Sequence, residues 1–162
     1  MNNREFFMIR WEAEQPAFLR VLRAMPEGKH DYTPHEKSST AGALAWQLAL
    51  EQANLLELLD GGKIHFKMSP PPAKCADIAA AYERSTNDLR TRLKSLTDAD
   101  WNAPGEFFMG GPEPVWSDTV QNLFWGYLFD MVHHRGQLST YLRPMGGKVP
   151  AIYGPSADDS GQ

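Results

Sequence analysis

Cysteine is nearly absent from these 162 residues: Cys75 stands alone, so the chain forms no internal disulfide and has no Cys pair for a zinc site. Several chemistries are missing with it. There is no Gly-rich phosphate loop, no nucleophile elbow, and no HExxH or CxxC spacing, which removes many enzyme classes at once. Basic clusters are also lacking. The formal net charge is −4, which argues against a nucleic-acid binder driven by phosphate contacts and against a membrane surface as partner. No apolar stretch is long enough to span a bilayer, and Met-Asn-Asn-Arg-Glu at the start has no signal-peptide core. The expectation is a cytoplasmic protein in which Cys75 is a packed or half-exposed structural thiol.

What the chain does have is helical periodicity. A first helix is expected from about Arg4 to Met25, with Phe7, Trp11, Phe18, Leu19 and Leu22 inward and Pro16 either kinking it or restarting it. Ser38-Ser39-Thr40 caps a second helix that runs to Asp60 and stops at Gly61-Gly62. After a loop from Lys63 to Pro72, a third helix runs from about Ala73 to Leu96 with Ile78, Ala81, Tyr82, Leu89 and Leu93 on its buried side. Residues 97–116 hold many Gly and Pro together with Trp101, Phe107 and Phe108. That is too apolar for a mobile linker, and it predicts an ordered cap, with room for a short strand pair. Ser117 then caps a last helix from Asp118 to about Arg143. Such a chain predicts an all-α fold, a four-helix bundle with an ordered loop before the last helix. Residues 1–154 read as one domain, with 149–154 packing back on it and 155–162 as a disordered polar tail.

Two helices carry polar groups on apolar faces. In the last helix, Asp130 and His134 differ by about 40° around the axis, on the side of Tyr127, Met131, Leu138 and Tyr141. The same arithmetic places Gln47 and Glu51 about 40° apart on the leucine stripe of the second helix. Burying ionisable groups is costly unless each finds a partner or a metal, and bundles build internal metal sites from facing helices in this way. Two readings follow. In one, His134, Asp130 and a group from the second helix hold a divalent metal, for which zinc, nickel, iron and manganese all suit the donor types. Glu51 is then a ligand, an orienting group or a base, and Gln47 a weak neutral ligand. In the other, the four side chains form a hydrogen-bond network with no metal. His133 falls towards the rim, Arg135 and Arg143 could take an anionic group or pair with local acids, and Gly136 suggests the close approach of another helix or access to the site.

The stretch His133-His134-Arg135-Gly136-Gln137-Leu138-Ser139-Thr140-Tyr141-Leu142-Arg143, continuing through Gly146-Gly147 to Val149-Pro150 and Tyr153-Gly154, resembles the C-terminal signature of the DinB-like superfamily of DinB and YfiT-type metalloenzymes. Ser39, Ala45-Trp46-Gln47-Leu48 and Glu51 resemble that family's second helix, and Trp101 its entry to the last loop. The resemblance implies a four-helix bundle, a homodimer, and a metal site of three histidines whose slots here are Gln47, Asp130 and His134. His134 alone keeps the family's ligand type, with Glu51 one turn from Gln47 to compensate. The resemblance also implies thiol-dependent transfer in some members, in which a low-molecular-weight thiol such as mycothiol or bacillithiol is activated at the metal. A set with two fewer imidazoles is richer in oxygen and favours manganese or iron over a thiolate-binding zinc. The expectations are a metal-dependent transferase or hydrolase acting on a small molecule, with Glu51 as catalytic group and His133, Arg135 and Tyr127 around it. The alternative is a metal-free member of the family that binds a small ligand or partner as a dimer.

Overall fold

The computed structural model describes residues 1–161. Four long helices and one short one carry a small sheet. Helix α1 (Asn3–Arg23) opens with a capping box, in which Asn2 Oδ1 accepts the Glu5 amide at 2.8 Å and Glu5 Oε2 accepts the Asn2 amide at 2.9 Å. The chain stays helical through Pro16. Helix α2 (Ala41–Gly61) starts at Thr40, whose hydroxyl accepts the Ala43 amide, and ends at Gly62 in the left-handed conformation, with φ of +69°. Strand β1 (Lys63–Phe66), helix α3 (Cys75–Ser95), the single-turn helix α4 (Asp98–Trp101), strands β2 (Pro104–Met109) and β3 (Trp116–Thr119), and helix α5 (Val120–Leu142) complete the order.

The helices pair as α2 with α3 and α5, and α1 with α3 and α5, so α1 and α2 lie diagonally across the core. Phe7, Phe18, Leu48, Leu55, Tyr82, Leu89, Phe124 and Leu138 fill the interior between them. Polar groups interrupt it, among them a patch in which Tyr82 donates to Gln15 Oε1 at 2.7 Å and Gln52 Nε2 donates to Thr86 Oγ1 at 3.0 Å.

Two expectations need correction. The fold is mostly helical but not all-α. β1 pairs in parallel with β2, from Lys63 opposite Glu106 to Phe66 opposite Met109, and β2 pairs antiparallel with β3. The first residues of what reads as a loop after α2 are therefore a strand, paired with a segment that α3 and α4 separate from it in sequence. Second, the last helix starts later than its Ser117 signal suggests. Ser117 and Asp118 belong to β3, and Thr119 is the N-cap residue. The segment after Tyr153 carries hydrogen bonds back to the body. Asp158 Oδ2 accepts Arg143 Nε at 2.8 Å and the Val149 amide at 3.0 Å, and Asp159 Oδ2 accepts the Ala151 amide at 2.8 Å. Gln162 lies outside the described residues.

The sheet packs against α2 and α5 and so covers the end of the groove between them. Gly126 makes this fit on α5, because a Cβ there would overlap the Trp116 ring of β3. Among the described residues, no helix is long and apolar enough to cross a membrane.

Candidate metal centre

Helices α2 and α5 lie side by side, and each points one polar pair into the shared groove. Gln47 Nε2 donates to Glu51 Oε1 at 2.8 Å within α2. Across the groove, His134 Nδ1 lies 3.1 Å from the same Glu51 oxygen, and Gln47 Nε2 lies 3.2 Å from His134 Nδ1. Asp130 Oδ2 is 3.7 Å from His134 Nδ1, one turn away on α5. One ligand atom each from Glu51, Asp130 and His134 falls within 4.8 Å of the others. The four residues of the two i, i+4 pairs are thus brought together.

Burial differs sharply among them. The Glu51 side chain is 3% exposed and that of His134 15%, but Asp130 stands at the mouth with 57% exposed. The expectation of a buried Asp130–His134 pair is therefore corrected: burial falls on Glu51 and His134, and Asp130 closes the site from the solvent side. The second carboxylate oxygen of Glu51, Oε2, is buried with no hydrogen-bond partner. Burial raises the Glu51 pKa above the usual carboxylate range against the opposing pull of His134 and Gln47. Burial alone would lower the pKa of His134, but the hydrogen bond and charge of Glu51, with Asp130 adding, outweigh it and raise it.

The groove opens into a pocket of about 200 Å³ lined by Gln47, Glu51, Asp130 and Tyr127, and closed by Phe66, Phe107, Met109 and Trp116 from the sheet and its flanks. The Tyr127 hydroxyl is buried there without a partner. Burial also pushes the pKa of Tyr127 above its usual range, so this hydroxyl is a donor rather than a phenolate. The four pocket-closing residues were not legible as site residues, because their placement depends on how β1 joins the strand pair and how the sheet docks on the helices. A glycine at position 126, inside an amphipathic helix, was the one available hint.

Of two further residues expected around the site, His133 lies at its rim and Arg135 turns away from it. His133 is exposed, its ring centroid 5.4 Å from that of His134. Arg135 is 2% exposed on another face of α5, where Nη1 donates to Glu14 Oε2 at 2.6 Å, Nη2 donates to the Tyr153 hydroxyl, and the guanidinium lies 4.6 Å from the Phe18 ring centre. Both of its terminal nitrogens are thus engaged inside the protein. Gly136 is exposed with nothing within 4 Å of where a Cβ would sit, so neither helix approach nor site access accounts for it. Cys75 is buried, and burial with the neighbouring Glu27 raises its thiol to about 11, which favours the protonated thiol when no metal is bound.

The donor set can be tested against a cation on its own terms. A buried carboxylate with an orphan oxygen, a second carboxylate and an imidazole supply two oxygens and one nitrogen with two negative charges. Gln47 fits less well, because its amide turns Nε2, a donor, toward the others. The set fits a divalent ion of the manganese or iron kind through Glu51, Asp130 and His134.

Known proteins resemble the chain over most of its length. Residues 10–138 match the family model of the DinB superfamily. The uncharacterized protein YrdA of Bacillus subtilis (strain 168) is 24% identical over 159 residues, which cover 96% of this chain and 90% of YrdA. A DinB-like protein from Bacillus cereus ATCC 10987 superposes with a TM-score of 0.77 at 22% identity, covering 92% of this chain and 97% of its own. The DinB-like YjoA of Bacillus subtilis superposes with a TM-score of 0.67 at 15% identity, covering 88% and 93%. At these identities the two structures establish the fold alone.

Proposed function

The chain belongs to the DinB superfamily, and from that premise we propose that it is a four-helix-bundle protein dependent on a divalent metal, holding the ion between α2 and α5 through Glu51, Asp130 and His134. One observation carries this reading above all: the buried Oε2 of Glu51 has no donor. A buried polar atom left without a partner costs about 1–3 kcal/mol, more for a charged group, and a cation between Glu51, Asp130 and His134 removes that penalty. Such an ion would supply Lewis acidity towards an oxygen or sulfur of a small substrate. The chain's own residues supply the rest. Gln47 donates to Glu51 and fixes its rotamer. Glu51, when it is not ligating, is placed to accept a proton from a group bound in the groove. The Tyr127 hydroxyl offers a hydrogen bond inside the pocket, and Phe66, Phe107, Met109 and Trp116 exclude water from it. The reaction class is transfer or hydrolysis on a small molecule, with a low-molecular-weight thiol as one candidate co-substrate.

A second reading rests on the Gln47 amide. Its Nε2 already donates to Glu51 and lies beside His134, as a hydrogen-bond network without metal requires. The two readings part on metal content. Plasma mass spectrometry of untagged protein should find close to one equivalent of a transition metal at the groove, lost in the Asp130→Ala/His134→Ala double variant and in Glu51→Gln. No metal after reconstitution with manganese, iron, nickel and zinc would establish the metal-free network and move the search to small ligands. We also propose a homodimer in the cytoplasm. Its contact face is the aromatic row of exposed Phe6 and Phe129 on either side of half-buried Trp125, whose neighbouring ring centroids lie 5.8 and 5.7 Å apart. Sedimentation should give twice the chain mass, and Phe129→Glu should halve it.

A further inference from the structure

Far from the α2–α5 groove in sequence, a different trio of metal-binding side chains converges where the chain leaves α1, enters α2 and begins α3. Glu27 follows α1, His30 comes three residues later, and Cys75 is the first residue of α3. One ligand atom from each lies within 4.8 Å of the other two. Cys75 Sγ is 3.5 Å from His30 Nε2, and the cysteine is 4% exposed.

Each of the three is held in place by a helix start. Helix α3 has no side-chain cap at Lys74, and Glu27 does that work, its two oxygens accepting the Cys75 and Ala76 amides at 3.2 Å each. His30 is drawn against the first turn of α2, where its carbonyl accepts the Gly42 amide at 2.9 Å. Glycine is needed at 42, because a Cβ there would come within 3.0 Å of His30 Cβ and 3.2 Å of its ring. Cys75 is fixed by the backbone of α3 itself. Capping alone accounts for the position of Glu27. It does not account for a buried thiol and an imidazole aimed at each other beside that carboxylate. Each carboxylate oxygen also keeps a second lone pair after accepting one amide.

We propose that Glu27, His30 and Cys75 form a second metal site, separate from the α2–α5 centre, for a zinc-type divalent ion. The donor chemistry selects the ion. A thiolate disfavours magnesium, calcium and manganese, and a carboxylate disfavours cuprous copper. A sulfur, nitrogen and oxygen set matches borderline zinc. As the S–metal bond forms, the S–H proton passes to solvent, so the exchange balances without a redox partner. Glu27 is exposed, so the remaining coordination position faces water. An ion there would tie three chain segments together at one end of the helices.

The sole cysteine gives this site a signal that the α2–α5 centre cannot produce. Reduced full-length protein and its Asp130→Ala/His134→Ala variant would both be titrated with cobalt(II), following thiolate-to-cobalt charge-transfer absorption. The site predicts the band in both proteins, bleached by zinc, and saturating at one equivalent in the double variant, where the α2–α5 groove no longer takes up cobalt. It should vanish in Cys75→Ser and need roughly tenfold or more cobalt in His30→Ala, on the scale by which lost metal-site partners weaken affinity. Absence of the band in the wild-type protein overturns the proposal without recourse to any variant. So does a band whose cobalt dependence is the same in His30→Ala and Glu27→Gln as in wild type, since that would be adventitious binding by a thiol.

Discussion

At the scale of single residues, the groove between α2 and α5 is governed by one carboxylate. Glu51 and His134 both have pKa values raised above their ordinary 4.5 and 6.5, Glu51 by burial and His134 by Glu51 acting against burial. Raised folded-state values mean that the folded protein binds more protons than the unfolded chain, so stability from this pair falls as pH rises. The contribution is fully present below 4.5 for Glu51 and below 6.5 for His134, and each is lost as pH climbs through the raised value. A divalent ion binds the deprotonated forms and reverses the trend, so the metal-dependent gain in Tm should grow with pH. Removing Glu51 tests the cause. In metal-free Glu51→Gln, His134 keeps its burial but loses the partner that raises it, so its titration followed by NMR should move down. An unmoved midpoint would show that Glu51 does not set the protonation of this histidine. The pairing itself was legible in the sequence, because i, i+4 spacing on two apolar faces is enough to aim Gln47, Glu51, Asp130 and His134 inward. The exposure of Asp130 was not, because helical arithmetic gives an angle around the axis and not the depth of the groove's edge.

At the scale of elements, the long helices were legible because each repeats its apolar positions over many turns, and the sheet only in part: residues 97–116 left room for a short strand pair, but β1 read as loop. β1 and β3 have four residues each and β2 has six, too short for alternation to stand out, and the partner of β1 lies beyond α3 and α4. Missing β1 and the sheet's docking meant missing the pocket's roof, since Phe66 and Phe107 stand on β1 and β2 and Trp116 opens β3. The two glycines of α5 show the same limit, because sequence attaches significance to Gly136 and structure attaches it to Gly126. Alanine gains about 1 kcal/mol over glycine inside a helix, and Gly136 has open space around it. Gly136→Ala should therefore stabilise the protein by about 0.5–1 kcal/mol in urea unfolding. At Gly126 the same gain meets the Trp116 ring, and overpacking costs about 1–3 kcal/mol, so Gly126→Ala should be neutral to destabilising. It should also shift the Trp116 fluorescence as the ring leaves the pocket wall. Equal stabilisation by both substitutions would mean that Trp116 is loosely seated and that the sheet does not close the pocket.

For the molecule as a whole, the organising contact is one that no local pattern announces. Arg135 of α5 reaches Glu14 of α1 and Tyr153 of the terminal segment, 121 and 18 residues away in sequence. Tyr153 also donates to Glu14 Oε2 at 2.8 Å, and the guanidinium lies 5.0 Å from the Tyr153 ring centre. Arg20 of α1 adds a hydrogen bond to the Ala151 carbonyl at 3.0 Å. These bonds fasten the segment after α5 to the helices. The energetics are asymmetric. A buried ion pair contributes little net stability over an apolar replacement, but removing one partner leaves an uncompensated charge at a cost of about 3–5 kcal/mol. Arg135→Ala should therefore lower stability by about that much, because the Glu14 side chain is only 7% exposed. The paired replacement Glu14→Leu/Arg135→Met should recover most of the loss, since no buried charge then remains. Limited proteolysis after Tyr153 should follow the same order, fastest in Arg135→Ala. Metal content at the α2–α5 groove should stay unchanged in every variant that remains folded, because Arg135 faces α1 and the terminal segment. If Arg135→Ala instead kept its stability and lost the groove's metal, the guanidinium would belong to the site, and its bond to Glu14 would be incidental.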